Sequence, residues 1–301
     1  MKMNTSTTRM PPKGRVAEHN TDAVGAPGIG SRLAIARYWA RAETKVLPLV
    51  GVLIFLGLWQ TLASVLGPYK LPALTSLWPQ VVTDLWKNRL LEAQGGGSHG
   101  LAPDIVYTIE STLSGGALGV CLGLFVGLAM GRSYIVRGWL EWPIQLGRTI
   151  PPLAIIPFLV IWFGPARSAQ VGVVLFSTTV VVVVTTTAAI RNVDPIYSRR
   201  ALTLGASSNR IFATIILPAI VPEVLAGIRV AIGLAWGVEV VSEYAGAPAG
   251  MGTVFEKMIP YEALAVIIVA IFWVTVMAVL VDLLIVLTRR RLTRWMPRAS
   301  R

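Results

Sequence analysis

Five stretches of the chain, residues 46–66, 111–131, 149–166, 168–190 and 263–281, run for about twenty residues with scarcely a charged side chain. A hydrocarbon core of roughly 30 Å is crossed by about 20 residues of helix, so windows of this length admit few folds. A sixth stretch, 211–242, carries Glu223, Arg229 and Glu239 but is too long and apolar for a loop. The expectation is an all-α polytopic membrane protein with six transmembrane helices over residues 46–288. The run of valines and threonines at 180–187 reads as a strand in water. In a bilayer an isolated strand leaves its backbone unpaired, so helix is expected there too. With 54% hydrophobic and 14% charged residues, the composition agrees.

The net charge of +12 suggests nucleic acid at first sight, but the basic residues cluster beside apolar runs and no nucleic-acid motif accompanies them. With the N-terminus inside, cytoplasmic segments hold 20 of the 27 basic residues and outer loops hold five. Basic residues resist translocation, so both termini are expected on the cytoplasmic side of an inner membrane. No apolar core of a signal peptide precedes residue 46, and the first span is expected to act as the targeting signal. Residues 1–31 read as a disordered tail, 32–45 as an amphipathic segment on membrane lipid, 95–100 as a flexible break, and 289–301 as a basic tail. Cys121 has no partner for an intrachain disulfide and is expected as a small packing residue.

Enzyme readings find little support. The dipeptide Gly-Lys of a nucleotide-binding loop is absent, so any ATP is expected on another chain and no cofactor on this one. His19 and His99 are the only histidines, too few and too scattered for a zinc site or a nucleophile triad. Gly115, Gly119, Gly123, Gly127 and Gly131 form a stripe four residues apart, which lets another helix approach closely, within the chain or at a subunit interface.

Charges inside spans are functional candidates. Arg148 precedes Pro151, Pro152 and Pro157, which free backbone groups inside a span; it either lines a gate or snorkels to the interface. Glu223 and Arg229 are six apart on different helix faces, so they are not expected to pair, and either faces the pathway or a neighbouring helix. Glu239 and Glu243 share one face near the outer end, with Trp236 beside them, and either turn toward the protein interior or a cavity or are solvated at the membrane interface. Gly246, Gly250 and Gly252 mark a helix break.

Between the fourth and fifth spans, about residues 191–217, the chain reads as two short helices forming a cytoplasmic knob. Asp194 before Pro195 starts the first, Gly205 breaks it, Ser207 and Ser208 cap a second over 209–217, and Pro218 and Pro222 begin the next span.

The spacing Ala201-x3-Gly205-x9-Ile215-x-Leu217-Pro218 resembles the signature loop of binding-protein-dependent ABC importer permeases, EAA-x3-G-x9-I-x-LP. GRTIPPLAIIPFLVIWFG, LPAIVPEVLAGIRVAIGLAW, SEYAGAPAGMG and RRRLTRW extend the resemblance to the taurine, aliphatic sulfonate and nitrate branch, over about residues 45–297. The resemblance implies a coupling segment comprising Arg199, Arg200, Ala201, Leu204, Gly205, Ala206, Ile215, Leu217 and Pro218, seated on a separate ATPase. It further implies two ATPase copies binding ATP, a second permease chain as a homodimer partner, and a periplasmic or lipid-anchored binding protein. Arg199 and Arg200 depart from the motif, standing where Glu and Ala are usual, so an acidic partner surface is expected opposite them. A stand-alone secondary transporter is the other class considered, but no inverted repeat is visible and six spans are few for it.

Overall fold

The computed structural model describes the backbone of residues 29–94 and 99–292 and the side chains of residues 46–94 and 99–291. The expectations for residues 1–28, for most of the glycine-rich loop and for the end of the C-terminal tail lie outside these. By contacts the chain divides into two units, residues 1–58 and 59–301. Helix α1 (Ile29–Leu66) begins in the first and ends in the second, and the expected boundary at Lys45 is not a break in it. The remaining elements belong to the second unit. Among the described residues every regular element is helical.

The end of α1 is tied to the segment after it. Trp59 Nε1 donates to the Pro72 carbonyl at 3.1 Å, and the Leu74 amide donates to Gln60 Oε1 at 3.1 Å. This fixes the entry into α2 (Leu74–Trp86), and Asn88 caps α3 (Arg89–Ala93) by accepting from the amides of Leu90 and Leu91. From sequence this region is an outer loop. It is instead packed, because Leu77, Leu91 and Leu101 close over Met251, Met258 and Val269 in a buried apolar cluster.

The seam at the centre of the fold joins α4 (Ala102–Arg132) to α7 (Arg167–Asn192). A Cβ placed on Gly115, Gly119, Gly123 or Gly127 would lie 2.7–2.8 Å from the Cβ of Val174, Thr178, Val182 or Thr186 respectively, and one on Gly131 would meet Ile190. The glycine stripe is therefore internal packing within one chain. Each pair is separated by the same 59 residues, so α4 and α7 run parallel in a fixed register. Cys121 lies on the exposed side of α4 rather than in packing.

Two parallel helices require the chain to return across the membrane between them. The return is made by α5 (Tyr134–Thr149) and α6 (Pro152–Phe163), bent 99° to each other, and this corrects the single span expected over 149–166. Pro151 and Pro152 sit at the bend, where neither can donate an amide to a continuing helix. Five described helices are long and apolar enough to cross a membrane, or six where the bent pair counts as one span. The valine and threonine run is helical in α7, with the Thr185 hydroxyl bonded back to the Val181 carbonyl at 3.0 Å.

On the way out, α8 (Pro195–Thr203) and α9 (Ser208–Ile211) lead through a π-helical turn at Phe212–Ile216 into α10 (Leu217–Tyr244). The second short helix expected over 209–217 is not separate: residues from Ser208 to Tyr244 form one continuous helical rod. A π turn admits an extra residue without ending the helix, so Pro218 and Pro222 fall inside the rod instead of starting it. The rod packs antiparallel to the seam, with Gly116 against Ile232 and Gly227 against Thr185. It ends at the glycines foreseen as a break, Gly246 (φ +132°) and Gly250 (φ +116°), which lead into α11 (Met251–Met258) and α12 (Leu264–Leu292).

Candidate coupling surface and intramembrane polar centre

The knob is built by local capping. Asp194 Oδ1 accepts from the Ile196 amide at 2.9 Å to open α8, and Ser207 Oγ accepts from the Arg210 amide to open α9. Between them, the amides of Gly205 and Ala206 donate to the carbonyls of Leu202 (2.9 Å) and Ala201 (3.0 Å). Those two bonds form a Schellman closure, and it needs the left-handed φ of +79° at Gly205. Glycine is required there by backbone conformation and not by crowding, since a Cβ would meet nothing within 4 Å.

The knob presents an apolar surface: Ile196, Tyr197, Leu202 and Leu204 are exposed, Leu204 to 87%. Arg199 and Arg200 are exposed beside it, while Ala201, Ala206, Ile215 and Pro218 are partly buried and Leu217 is exposed. Arg132, at the end of α4, donates to Asn209 Oδ1 and lies 5.8 Å from the Phe212 ring centre. The knob is thus fastened to the seam as well as to α10.

The intramembrane charges fall into distinct settings. Arg148 is exposed at the end of α5, next to the bend that Pro151 and Pro152 make. Glu223 accepts from Asn192 Nδ2 at 2.7 Å, joining α10 to the end of α7. Arg229 pairs with Asp282 of α12 through two bonds, Nε to Oδ1 at 2.5 Å and Nη2 to Oδ2 at 2.7 Å. Arg167 pairs with Glu110 at 2.6 Å and lies 4.2 Å over the Tyr107 ring.

Glu239 and Glu243 are both fully buried. Glu243 is a three-way tie: the Thr108 hydroxyl donates to its Oε1 at 2.7 Å, and the Gly252 amide donates to its Oε2 at 2.9 Å. Thr108 in turn accepts from the Met251 amide at 3.0 Å, and Asp104 Oδ1 accepts from the Gly250 amide at 2.8 Å. Side chains on α4 and α10 therefore hold the start of α11. Gly250 and Gly252 have no space for a side chain, since one would meet the Glu243 carboxyl and the other the backbone of Val240 and Tyr244.

Glu239 is different, because neither carboxyl oxygen has a hydrogen-bond partner. The parallel register of α4 and α7 places Gln170 level with Ser111, and the antiparallel run of α10 brings Glu239 and Ser242 to the same height. All four are buried and all have unpaired polar atoms. Trp236, one turn below, is also buried with its Nε1 unpaired.

Sequence reasoning misses Asp282, Thr108, Asp104, Asn192 and Gln170. Asp282 had a signal, a lone acid inside the apolar run VLVDLLIV, just past the window that ends at residue 281. Thr108 had none, since it lies 135 residues from Glu243 and is an ordinary hydroxyl in an apolar stretch.

Residues 119–295 match the family model described as "binding-protein-dependent transport system inner membrane component". A probable ABC transporter permease protein of Brucella abortus is 32% identical over 260 residues, 86% of this chain and 99% of the relative. The taurine transport system permease protein of Escherichia coli K12 is 28% identical over 85% of this chain and 92% of its own length. The nitrate import permease protein of Synechococcus elongatus is 31% identical over 66% and 71%. Among solved structures, an inward-facing MetNI methionine ABC transporter chain superposes with a TM-score of 0.56 at 16% identity, over 64% of this chain and 96% of that one. The chain belongs to the family of binding-protein-dependent transport system inner membrane components. It is a multi-pass membrane permease of the ABC import type, and the stand-alone secondary transporter reading falls away.

Proposed function

We propose that this permease carries a small anion of the sulfonate, taurine or nitrate type, and that α8 and the turn after it receive the stroke of a separate ATPase. In this reading the chain pairs with a second copy of itself, two ATPase copies bind all the ATP, and a binding protein delivers substrate from outside. The chain itself holds no cofactor, and both its termini lie in the cytoplasm. The observation that carries the coupling role is the exposed apolar knob leading directly into the α10 rod. Apolar surface of this kind on a membrane protein's aqueous side marks a protein contact. A push on α8 passes into a 37-residue rod, π turn included, that reaches the polar centre at its far end. Arg199 and Arg200 flank the apolar patch and suit an acidic rim on the ATPase.

Gly205→Val tests the coupling role. A branched side chain resists the left-handed conformation by about 1–2 kcal/mol, which loosens the Schellman turn without adding a clash. The expected result in a reconstituted complex is ATP hydrolysis retained and uptake of taurine or nitrate reduced severalfold. Uptake equal to wild type would remove α8 from the coupling path. Arg199→Glu combined with Arg200→Glu is expected to reduce the amount of ATPase that co-purifies, and unchanged recovery would show that the arginines face away from it.

A further inference from the structure

Between α10 and α12 lies a cavity of about 340 Å³, bordered by Arg229, Asp282, Gly233, Trp236 and Thr275. A water molecule occupies about 30 Å³ of liquid, so the space accommodates a small solute. Its other walls are aliphatic, including Ile232 and Val274. The Arg229–Asp282 pair at its edge is two-pronged, the geometry in which a guanidinium grips a planar oxyanion. Both side chains are nearly half exposed on this chain, 46% and 41%, so its own helices do not seal the pair. Trp236 borders the same space, while its Nε1 is sealed among the helices. Gly233 leaves the cavity open: a Cβ there would meet nothing within 4 Å.

We propose that this cavity is a holding station for the transported oxyanion, in which Arg229 exchanges Asp282 for the substrate. The proposal rests on the anion-import reading above and names the residues that would recognise the anion within the membrane. Asp282 acts as an internal stand-in for the substrate. It satisfies the intramembrane cation while the station is empty and displaces the anion afterwards, which keeps holding weak enough for release.

The test uses the complete complex of permease, ATPase and binding protein in proteoliposomes, with taurine and nitrate as probes and ATP hydrolysis measured in parallel. Arg229→Met combined with Asp282→Leu replaces the pair with apolar side chains of similar size. If the pair only fastened α10 to α12, this exchange would be neutral or better, as for other ion pairs removed from apolar surroundings. The expected result is normal assembly and ATP hydrolysis with uptake reduced roughly tenfold or more, the loss of a charge-assisted, two-pronged grip. Gly233→Leu fills the cavity without touching the pair, and uptake is expected to fall in the same way with the complex intact. Wild-type uptake by either of these variants overturns the station. A wild-type complex that accumulates neither probe overturns the anion-import reading itself, which separates the two failures.

Discussion

Gly123→Val is expected to leave little assembled permease in the membrane and to lower the thermal midpoint of what remains. A Cβ at residue 123 would stand 2.7 Å from Val182 Cβ and 3.0 Å from the Thr179 carbonyl oxygen. Neither neighbour can swing aside, since one is a β-branched stem and the other is helix backbone. The two helices must separate, and overpacking of this kind costs about 1–3 kcal/mol where it can be absorbed. Here it cannot be absorbed locally. Gly119 and Gly127, one turn away on either side, make the same approach to Thr178 and Thr186, so moving α4 at one point opens its neighbours. In a bilayer that close contact is itself the attraction, because lipid competes for apolar surface as well as a helix does. Gly237→Ala is the control, since a Cβ there meets nothing within 4 Å. Equal melting of Gly123→Val and Gly237→Ala would show that the seam tolerates separation.

Glu243→Ala is expected to be nearly as damaging, through hydrogen bonding. Removing the carboxyl leaves the Gly252 amide without its acceptor in a buried setting, while the Thr108 hydroxyl turns to the Asp104 carbonyl 3.0 Å away. The orphaned amide costs about 1–3 kcal/mol, and the space left by the side chain adds to that. The start of α11 then loses this side-chain tie to α10 and keeps those to Thr108 and Asp104 of α4. Glu243→Gln keeps the shape but turns one acceptor into a donor facing a donor, and is expected to fall between wild type and alanine. Thermal unfolding in detergent checks the order. A double-mutant cycle with Thr108→Val should show clear coupling, and additive losses would show that the two side chains act independently.

The glycine stripe was legible because a four-residue spacing on a helix is itself a geometric statement. Its partner was not, since Val174, Thr178, Val182 and Thr186 lie in a stretch where valine and threonine fill many of the positions. The knob was legible to single residues, because Asp194, Gly205 and Ser207 act on backbone groups within three positions of themselves. The turn after it reads as a separate helix because a π turn is a shift of hydrogen-bond register, and no residue type demands one. The prolines at 151 and 152 announced an interruption, while the 99° angle is decided by how α5 and α6 pack on α7. The Glu239 and Glu243 pair was visible as two acids on one face, but their difference in bonding depends on Thr108 and Gly252, which come from other segments.

The constant separation of 59 residues across the seam also bears on how the molecule is made. Chains emerge from the ribosome at about 5–20 residues per second, so α4 waits on the order of 3–12 s before its mate enters the bilayer. Through that interval its row of glycines faces lipid, with backbone thinly covered and nothing to grip. The bent pair α5 and α6 is synthesised within the same interval, after α1 to α3 and before α7. The glycine row of α4 is therefore without its partner while residues 133–166 are made, and α7 completes the seam just before α8 is translated.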